Sequence, residues 1–235
     1  MMMSEVNLIG ITQPDETYTG CKTAQELIGW CARISNPANQ QKHSTAPKLI
    51  QSLLRDKHWS PLEMVDVSME IKTTRDIARQ ILRHRSFSFQ EYSQRYADPT
   101  KDLGFVTREA RLQDAKNRQN SIETEDTELQ TEWNMRQRKV MAEALIQYRW
   151  AIENGIAKEQ ARVVLPEGNT ESTIIMKGSL RSWVHYCDLR MKWDTQKEHR
   201  IVAEQCWNII EEQFPDIKIA LDNIKAWQEF ERKLP

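Results

Sequence analysis

A strict alternation of apolar and polar side chains over residues 64–72 constrains the fold of this chain more than any other feature of the sequence. The apolar members of the alternation are Val65, Val67, Met69 and Ile71. Successive side chains of a β-strand point to opposite faces of a sheet, so these four residues would share one face. The stretch therefore predicts a strand with one buried face and one face in water, as is common in antiparallel sheets.

Apolar runs and helical spacing predict the other elements of the chain. Two further strands are expected at Val6–Ile11 and Ser172–Met176, and Ser86–Phe89 is expected to be extended. Helices are expected at Thr23–Ile34, at about Pro47–Arg55, after a Thr74 cap, and at Ala157–Leu165, and a long helix is expected along the stripe Leu129, Trp133, Val140, Ala144, Tyr148 and Ile152. Two more are expected from a Ser179 cap to Leu189-Arg190 and from a capping box at Thr195-Gln196-Lys197-Glu198. The last expected helix, at the end of the chain, has Ile219, Ile224, Trp227 and Phe230 on one face.

The length and the predicted elements favour a single α+β domain over residues 1–235, with a mainly antiparallel sheet flanked by helices. Residues from about Gln113 to Thr131 contain almost no apolar side chains. We expect this segment to form an exposed loop or a frayed helix rather than a linker between two domains.

The charges of the chain nearly cancel, with 33 Lys and Arg residues against 34 Asp and Glu residues. This balance argues against a protein that is attracted as a whole to nucleic acid or to an anionic membrane. No apolar run approaches the length of a membrane span, and the N-terminus lacks the pattern of a signal peptide. Four scattered cysteines, Cys21, Cys31, Cys187 and Cys206, are typical of reduced thiols. We therefore expect a cytoplasmic protein with no nucleic-acid partner and no membrane partner.

Residues 83–96 have the most unusual local composition, with three arginines, one histidine, three serines, one glutamate and two tyrosines. A guanidinium group matches the oxygens of a phosphate or carboxylate with two parallel hydrogen bonds, and hydroxyl groups add further donors. We predict that this stretch binds a phosphorylated molecule. Arg75 and Arg79, in contrast, are predicted to lie on a solvated helix face.

Other kinds of site are not indicated by the sequence. His58 and His84 lack the spacing of metal ligands, so no metal is predicted. Glu63 and Glu91 are an unspecific pair of carboxylates for hydrolytic chemistry. The chain has seven glycines and contains neither a nucleophile elbow nor a Gly-rich phosphate loop. If a nucleotide binds, arginines and hydroxyl groups must hold it.

Several segments together form a recognisable pattern. They are Arg83-His84-Arg85 followed, after seven intervening residues, by Ser93 and then by Arg95-Tyr96, His58-Trp59-Ser60-Pro61-Leu62-Glu63, Arg79-Gln80, Ala161-Arg162-Val163-Val164-Leu165-Pro166, and the set Arg181, His185, Leu189-Arg190 and Gln196. In this order they resemble the motifs of flavin-dependent thymidylate synthases. The match extends over residues 58–198, and several motifs in the right order are more specific than one.

The resemblance implies an enzyme, a methyltransferase that converts dUMP to dTMP. 5,10-Methylenetetrahydrofolate would donate the carbon, and NADPH would reduce a bound FAD that supplies the hydride. The resemblance also implies a homotetramer whose active sites lie at subunit interfaces. Flavin chemistry of this kind needs no cysteine nucleophile, which agrees with the ordinary sequence contexts of the four cysteines.

The same resemblance implies positions for the ligands. FAD would contact Ser60, Glu63, Arg83, His84, Arg85, Ser86, Arg181, His185 and Leu189. The substrate dUMP would contact Gln80, Glu91, Ser93, Gln94, Arg95, Arg162 and Arg190. The implied catalytic group consists of Arg190, Ser93 and His58. His58 and His84 would position flavin and folate rather than act as an acid or a base.

Physical chemistry suggests separate roles within this set. Ser93 and Arg95 suit the 5′-phosphate, with Arg162 as a further cation, because a dianion in a partly dry cleft needs charge-assisted hydrogen bonds. Arg190 lies at the end of a predicted helix and would stabilise the negative charge that develops on the uracil ring.

The sequence departs from the family pattern at Leu62, Met64, Gln90, Ser179 and Asp194, and the spacing between Pro166 and Arg181 differs by one residue. These changes predict a flavin subsite of different shape. Three alternatives remain open at this point, namely a flavoprotein with another substrate, a related protein without activity, and an arginine-rich nucleic-acid-binding module.

Overall fold

The computed structural model describes residues 4–222 and has a four-stranded antiparallel sheet at its centre. The strands, numbered along the chain, are β1 (Glu5–Ile11), β2 (Asp66–Thr74), β3 (Phe87–Glu91), β4 (Arg111–Gln113), β5 (Ser121–Glu123) and β6 (Glu171–Ser179). The central sheet has the order β1-β2-β6-β3, and β4 and β5 form a separate two-stranded sheet. Every pairing is antiparallel, so the predicted α+β class with an antiparallel sheet is confirmed.

Helices of very different length surround the sheet. They are α1 (Glu16–Thr19), α2 (Ala24–Ala32), α3 (Pro37–Gln40), α4 (Ala46–Arg55), α5 (Arg75–Ile81), α6 (Pro99–Asp102), α7 (Thr127–Glu153), α8 (Lys158–Ala161), α9 (Leu180–Arg190) and α10 (Lys197–Gln213), with 3-10 turns at His43–Thr45, Ser60–Met64 and Arg162–Val164. Residues 215–222 are also helical. None of the helices in the described part of the chain combines the length and the apolar composition that crossing a bilayer requires.

The alternation in residues 64–72 belongs to β2, which begins and ends two residues later than predicted. Val67, Met69 and Ile71 are fully buried, whereas the polar residues between them are partly exposed. The prediction of a strand with one buried face is therefore confirmed. The other predicted strands correspond to β1, β3 and β6.

The buried face of the sheet packs against side chains of α2, α4, α5, α9 and α10, which belong to the same hydrophobic core. Trp183 of α9 is fully buried, and its Nε1 atom donates a hydrogen bond to the backbone oxygen of Val67 at 3.0 Å. An indole has one polar atom, so this contact satisfies Trp183 completely. Helix α9 is thereby fixed on β2, and its far end is positioned for the site described below.

The segment from Gln113 to Thr131 was expected to be a loop or a frayed helix, and this prediction is wrong in part. The segment contains the turn and second strand of the β4–β5 hairpin and the first turn of α7. The Asp114 carboxylate accepts hydrogen bonds from the backbone of Lys116 and Asn117 and from the side chain of Asn120, which fixes the turn. Such an aspartate turn needs no apolar periodicity, so the sequence pattern did not reveal it.

The predicted apolar stripe of α7 is buried in its second half. Ala144 and Tyr148 are buried, and Tyr148 packs with Ala151, Ala161 and Leu165 in a second, smaller core. Trp133 and Val140, in contrast, are 42% and 55% exposed. The first half of the stripe therefore lies on the surface.

The expected side-chain caps have mixed outcomes. Ser179 caps α9 as predicted, since its hydroxyl accepts from the backbone N of Ser182. Helix α10 has Gln196 as its N-cap and no side-chain cap, so the predicted capping box is wrong, because the Glu198 carboxylate accepts from Arg111 instead. The hydroxyl of Thr74 donates to Asp76 rather than capping the backbone of α5. Of the last predicted helix, Ile219 is described and exposed, whereas Ile224, Trp227 and Phe230 lie outside the described residues.

Gly178 of β6 lies directly against the ring of Phe87 in β3. A Cβ atom on Gly178 would lie 2.4 Å from the ring, and the ring itself packs on Trp183 with centroids 4.9 Å apart. The ring therefore has little room to move in a closely packed core. We expect Gly178→Ala to lower the free energy of unfolding by about 1–3 kcal/mol in urea denaturation.

The matched control is Gly168→Ala, because a Cβ atom at Gly168 would have no other atom within 4 Å. Equal stability of Gly178→Ala and Gly168→Ala would contradict the packing argument.

Candidate active site

The end of α9 meets the segment that follows α5. Arg190 is the last residue of α9, and its Nε atom donates a hydrogen bond to Nε2 of His84 at 2.9 Å. Since the guanidinium can only donate, His84 must accept with an unprotonated nitrogen. Burial and the nearby guanidinium groups of Arg190 and Arg83 lower the pKa of His84 to about 4. His84 is therefore a neutral partner for Arg190 at neutral pH.

A buried polar group lies next to this pair. The Tyr186 hydroxyl and the Nε2 atom of His199 are 3.1 Å apart, and the Nδ1 atom of His199 lies 3.3 Å from Oε1 of Gln80. Gln80 in turn donates through Nε2 to Oε1 of Gln196 at 2.7 Å. The rings of Tyr186 and His84 are in edge contact with centroids 4.9 Å apart. Gln80, a predicted substrate residue, is thus joined to the surroundings of Arg190.

A second group forms where the 3-10 turn Ser60–Met64 meets the start of α9. The Glu63 carboxylate accepts from Nη1 of Arg181 at 2.8 Å and from the hydroxyl of Ser179. The ring of His185, one turn after Arg181, lies on Trp59 with centroids 4.6 Å apart. Burial, followed by the charge of Arg181, lowers the pKa of His185. These contacts join two of the segments that the sequence assigned to one cofactor.

A third group surrounds Glu91 at the end of β3. Its carboxylate accepts from Nη1 of Arg75 at 3.4 Å and from the hydroxyl of Ser172 at 3.2 Å. The prediction that Arg75 lies on a solvated face is wrong, because Arg75 is only 6% exposed, whereas Arg79 is half exposed. Burial lowers the pKa of the Arg75 guanidinium, and the charges of Arg79 and Arg162 act in the same direction. Arg162, a predicted substrate residue, therefore lies near this group.

The loop after β3 carries the remaining predicted substrate residues. The hydroxyl of Ser93 accepts from the backbone N of Arg95 at 3.4 Å, and the Arg95 side chain forms a surface ion pair with Glu159 at 3.1 Å. Gln94 is buried, and its Nε2 atom has no hydrogen-bond partner among residues 4–222. A buried amide N–H without a partner is costly, and a bound ligand with an acceptor atom would relieve that cost.

Several predicted site residues lie on the surface, and their side chains form no hydrogen bonds with these groups within residues 4–222. They are His58, Ser60, Arg83, Arg85, Ser86 and Leu189, all of which are exposed. The backbone oxygen of Ser86 accepts from the hydroxyl of Ser182, which ties the segment after α5 to α9. These exposed residues lie close in sequence to Glu63, His84 or Arg190, and the polar side chains among them are accessible to solvent.

The sequence did not single out His199 or Tyr186. A signal for His199 was present, because it lies three and seven residues before Val202 and Cys206 on the buried stripe of α10. A polar residue on such a stripe is buried and must find hydrogen-bond partners. The identity of those partners depends on contacts between distant segments and could not be derived from spacing.

The fold is shared with a solved methylase. The structure of the UMP/dUMP methylase PolB from Streptomyces cacaoi, bound with 5-Br UMP, matches with a TM-score of 0.78 and covers 94% of both chains at 23% sequence identity. At this identity the likeness demonstrates a common fold and nothing further.

Sequence relatives define the family. The family model described as "Thymidylate synthase complementing protein" matches residues 17–216. The "Probable flavin-dependent thymidylate synthase" of Paramecium bursaria Chlorella virus 1 is 46% identical over 215 residues, which are 92% of this chain and 97% of the relative. The "Flavin-dependent thymidylate synthase" of Synechocystis sp. is 45% identical over 219 residues, which are 93% of this chain and 99% of the relative. The chain therefore belongs to the flavin-dependent thymidylate synthase family, a family of methyltransferase enzymes, as its sequence motifs predicted.

Proposed function

We propose that the protein methylates dUMP to dTMP, with 5,10-methylenetetrahydrofolate as the carbon donor, FAD as the flavin and NADPH as its reductant, and with tetrahydrofolate as a product. The observation that supports this proposal most directly is the contact between Arg190 and His84, which are 106 positions apart in the chain. It joins the Leu-Arg motif to the Arg-His-Arg motif, and it leaves the two terminal nitrogens of Arg190 without partners among residues 4–222.

The residues proposed to hold FAD fit its chemistry. Arg83 and Arg85 have exposed side chains, and the ion pairs within residues 4–222 include neither of them. Two free guanidinium groups beside the Ser86 hydroxyl suit a diphosphate, which needs charge-assisted hydrogen bonds. When bound, the flavin would supply the hydride-transfer chemistry, for which protein side chains have no equivalent.

The Glu63 group would complete this subsite. Glu63 holds Arg181 through a hydrogen bond, so the guanidinium is oriented before a ligand arrives. His185 is kept neutral and packs on Trp59, which gives the subsite an aromatic wall. The full set proposed for FAD is Ser60, Glu63, Arg83, His84, Arg85, Ser86, Arg181, His185 and Leu189.

The nucleotide would lie near the third group of the site. Ser93, Arg95 and Arg162 are proposed to bind its 5′-phosphate. The Glu91 carboxylate is held by Arg75 and Ser172 and is available as an acceptor for a sugar hydroxyl. The full set proposed for dUMP is Gln80, Glu91, Ser93, Gln94, Arg95, Arg162 and Arg190, in which the unpartnered buried amide of Gln94 is a ready donor.

Arg190 is proposed to act on the pyrimidine ring. When C5 of uracil attacks the one-carbon unit, negative charge develops on the ring, and a guanidinium fixed nearby stabilises it. The hydrogen bond to His84 holds the Arg190 side chain in place, so little reorganisation is needed during the reaction. We propose Arg190 and Ser93 as catalytic residues, together with the exposed His58, which would position folate.

We further propose that the enzyme is a cytoplasmic homotetramer with active sites at subunit interfaces. All four cysteines are free thiols, as expected for a reducing compartment. Met135, Ile146 and Trp150 lie on one face of α7 and are 54%, 58% and 57% exposed. Large apolar side chains grouped on one helix face favour a covered surface in an oligomer.

The flavin content of the purified protein tests this proposal. We expect the absorbance spectrum of bound flavin, and dTMP formation that requires dUMP, methylenetetrahydrofolate and NADPH together. Protein that stays colourless after incubation with FAD would exclude the proposed reaction. Bound flavin without dTMP formation would favour a flavoprotein with another substrate.

Replacing Arg190 tests its proposed role on the ring. We expect Arg190→Ala to reduce kcat by about 100-fold or more, as the loss of a transition-state donor does, while flavin absorbance is retained. Lys192→Ala is the matched control, because Lys192 is an exposed cation two residues away and should leave the rate unchanged. A rate for Arg190→Ala equal to that of the control would show that the assignment is wrong.

Replacing Ser93 or Arg95 tests the proposed phosphate site. We expect Ser93→Ala and Arg95→Ala each to raise the Kd of dUMP by about tenfold, because each loses a charge-assisted hydrogen bond. Isothermal titration calorimetry measures this change. Glu159→Gln is the control, since it breaks the surface ion pair of Arg95 without removing the cation. If Arg95→Ala binds dUMP as tightly as Glu159→Gln does, Arg95 serves only its ion pair.

A further inference from the structure

An unbroken chain of side-chain hydrogen bonds runs from α9 to the first turn of α10 and passes through Gln80. Its links are Tyr186 to His199 (3.1 Å), His199 to Gln80 (3.3 Å), Gln80 to Gln196 (2.7 Å) and Gln196 to Glu198 (2.9 Å). His199 is fully buried and Glu198 is 2% exposed. Among the residues joined by these hydrogen bonds, Gln80 is the one that the proposed function places against dUMP. It also belongs to one of the sequence motifs.

The carboxylate at the end of the chain fixes the direction of every link. Burial alone would raise the pKa of Glu198, but hydrogen bonds from Arg111 and Gln196 outweigh it, and the net pKa is below its usual value. The carboxylate is therefore ionised and can only accept. Gln196 must turn its NH2 group toward Glu198, so its oxygen faces Gln80. Gln80 must then donate its own NH2 group to Gln196.

The direction of these links determines the protonation of His199. Because the oxygen of Gln80 faces Nδ1 of His199, that nitrogen must carry the proton. The other ring nitrogen, Nε2, then accepts from the hydroxyl of Tyr186. Burial, followed by the charges of Arg190 and His84, lowers the pKa of His199 to about 3, so the neutral ring fits this arrangement.

Turning the Gln80 amide by half a turn would break its hydrogen bond to Gln196. The NH2 group of Gln80 would face the N–H of His199, and its oxygen would face the oxygen of Gln196. The contact with Gln196 would be repulsive in a low-dielectric interior, where an unpaired polar group is most costly. The contact with His199 could be kept only if the ring changed its tautomer. Gln80 therefore holds a single amide orientation, and its second N–H is left without a partner among residues 4–222.

We propose that His199 is a positioning residue that anchors the oxygen of the Gln80 amide, in the orientation set by Glu198 and Gln196, and thereby sets how Gln80 meets the bound pyrimidine nucleotide. This inference rests on the proposed function, which places Gln80 against dUMP. Tyr186 donates its hydroxyl to Nε2 of His199, and Glu198 fixes the other end of the chain. In an enzyme with this arrangement, His199 contributes mainly to substrate binding and little to the chemical step.

Two substitutions at His199 separate this role from general packing. His199→Leu removes both ring nitrogens, whereas His199→Asn keeps an amide N–H close to the position of Nδ1. We expect His199→Leu to raise the KM of dUMP by about tenfold with kcat within about twofold, because the hydrogen bond that anchors the oxygen of Gln80 is lost. We expect His199→Asn to recover most of this loss.

A milder variant covers the case in which changes at the buried His199 prevent folding. Tyr186→Phe removes only the hydroxyl and keeps the ring that contacts His84. We expect the KM of dUMP to rise by about threefold, with kcat unchanged. Tyr148→Phe is the matched control, because Tyr148 is equally buried and its hydroxyl has no hydrogen-bond partner in residues 4–222.

The outcomes distinguish this inference from the proposed function. Wild-type enzyme that forms no dTMP would overturn the proposed function and the role of His199 with it. Active wild-type enzyme together with an unchanged KM in His199→Leu and Tyr186→Phe would overturn the role of His199 alone. A fall in kcat at constant KM, or equal losses in His199→Leu and His199→Asn, would also overturn it.

Discussion

The register between β2 and β6 is the constraint on which the candidate site depends. Nine residue pairs join the two strands, from Asp66 with Ser179 to Thr74 with Glu171. The first pair places the 3-10 turn before β2 beside the start of α9, so Glu63 can accept from Ser179. A slip of two residues would keep every side chain on its face but move Glu63 by about 7 Å along β6, and the contact would be lost.

Burial divides the arginines of this chain into two classes that the sequence does not distinguish. Arg75 and Arg111 are largely buried, and each is paired with a carboxylate, as a buried charge must be. Arg83 and Arg85 are exposed and belong to no ion pair within the described residues. The first class holds segments of the fold together. The second class keeps an exposed and unpaired charge within the described residues, and only the structure shows which arginine belongs to which class.

Local periodicity was sufficient to predict the strands of the central sheet and most helices, since a sheet with one buried face imposes its alternation directly on residues 65–71. The Ser179 cap could also be predicted, because a cap depends on residues three positions apart. The β4–β5 hairpin could not, because one carboxylate, that of Asp114, fixes it. The links of Gln80 to Gln196 and His199 join positions more than 100 residues apart. Such pairs follow from the packing of whole elements and leave no local pattern.

His84 and His199, the two histidines near Arg190, are uncharged at neutral pH and therefore add no positive charge beside its guanidinium and cancel none of it. Arg75, Arg95 and Arg181 each have a carboxylate partner, which cancels much of their charge. The partner of Arg190 is His84, whose pKa of about 4 leaves it uncharged at neutral pH.

His199, with a pKa of about 3, is uncharged as well, and the carboxylate of Glu198 at the end of its hydrogen-bond chain is neutralised by Arg111. Arg190 is thus held in place by a group that does not weaken its field. In a site from which water is excluded, an uncompensated guanidinium stabilises developing negative charge far better than one already paired.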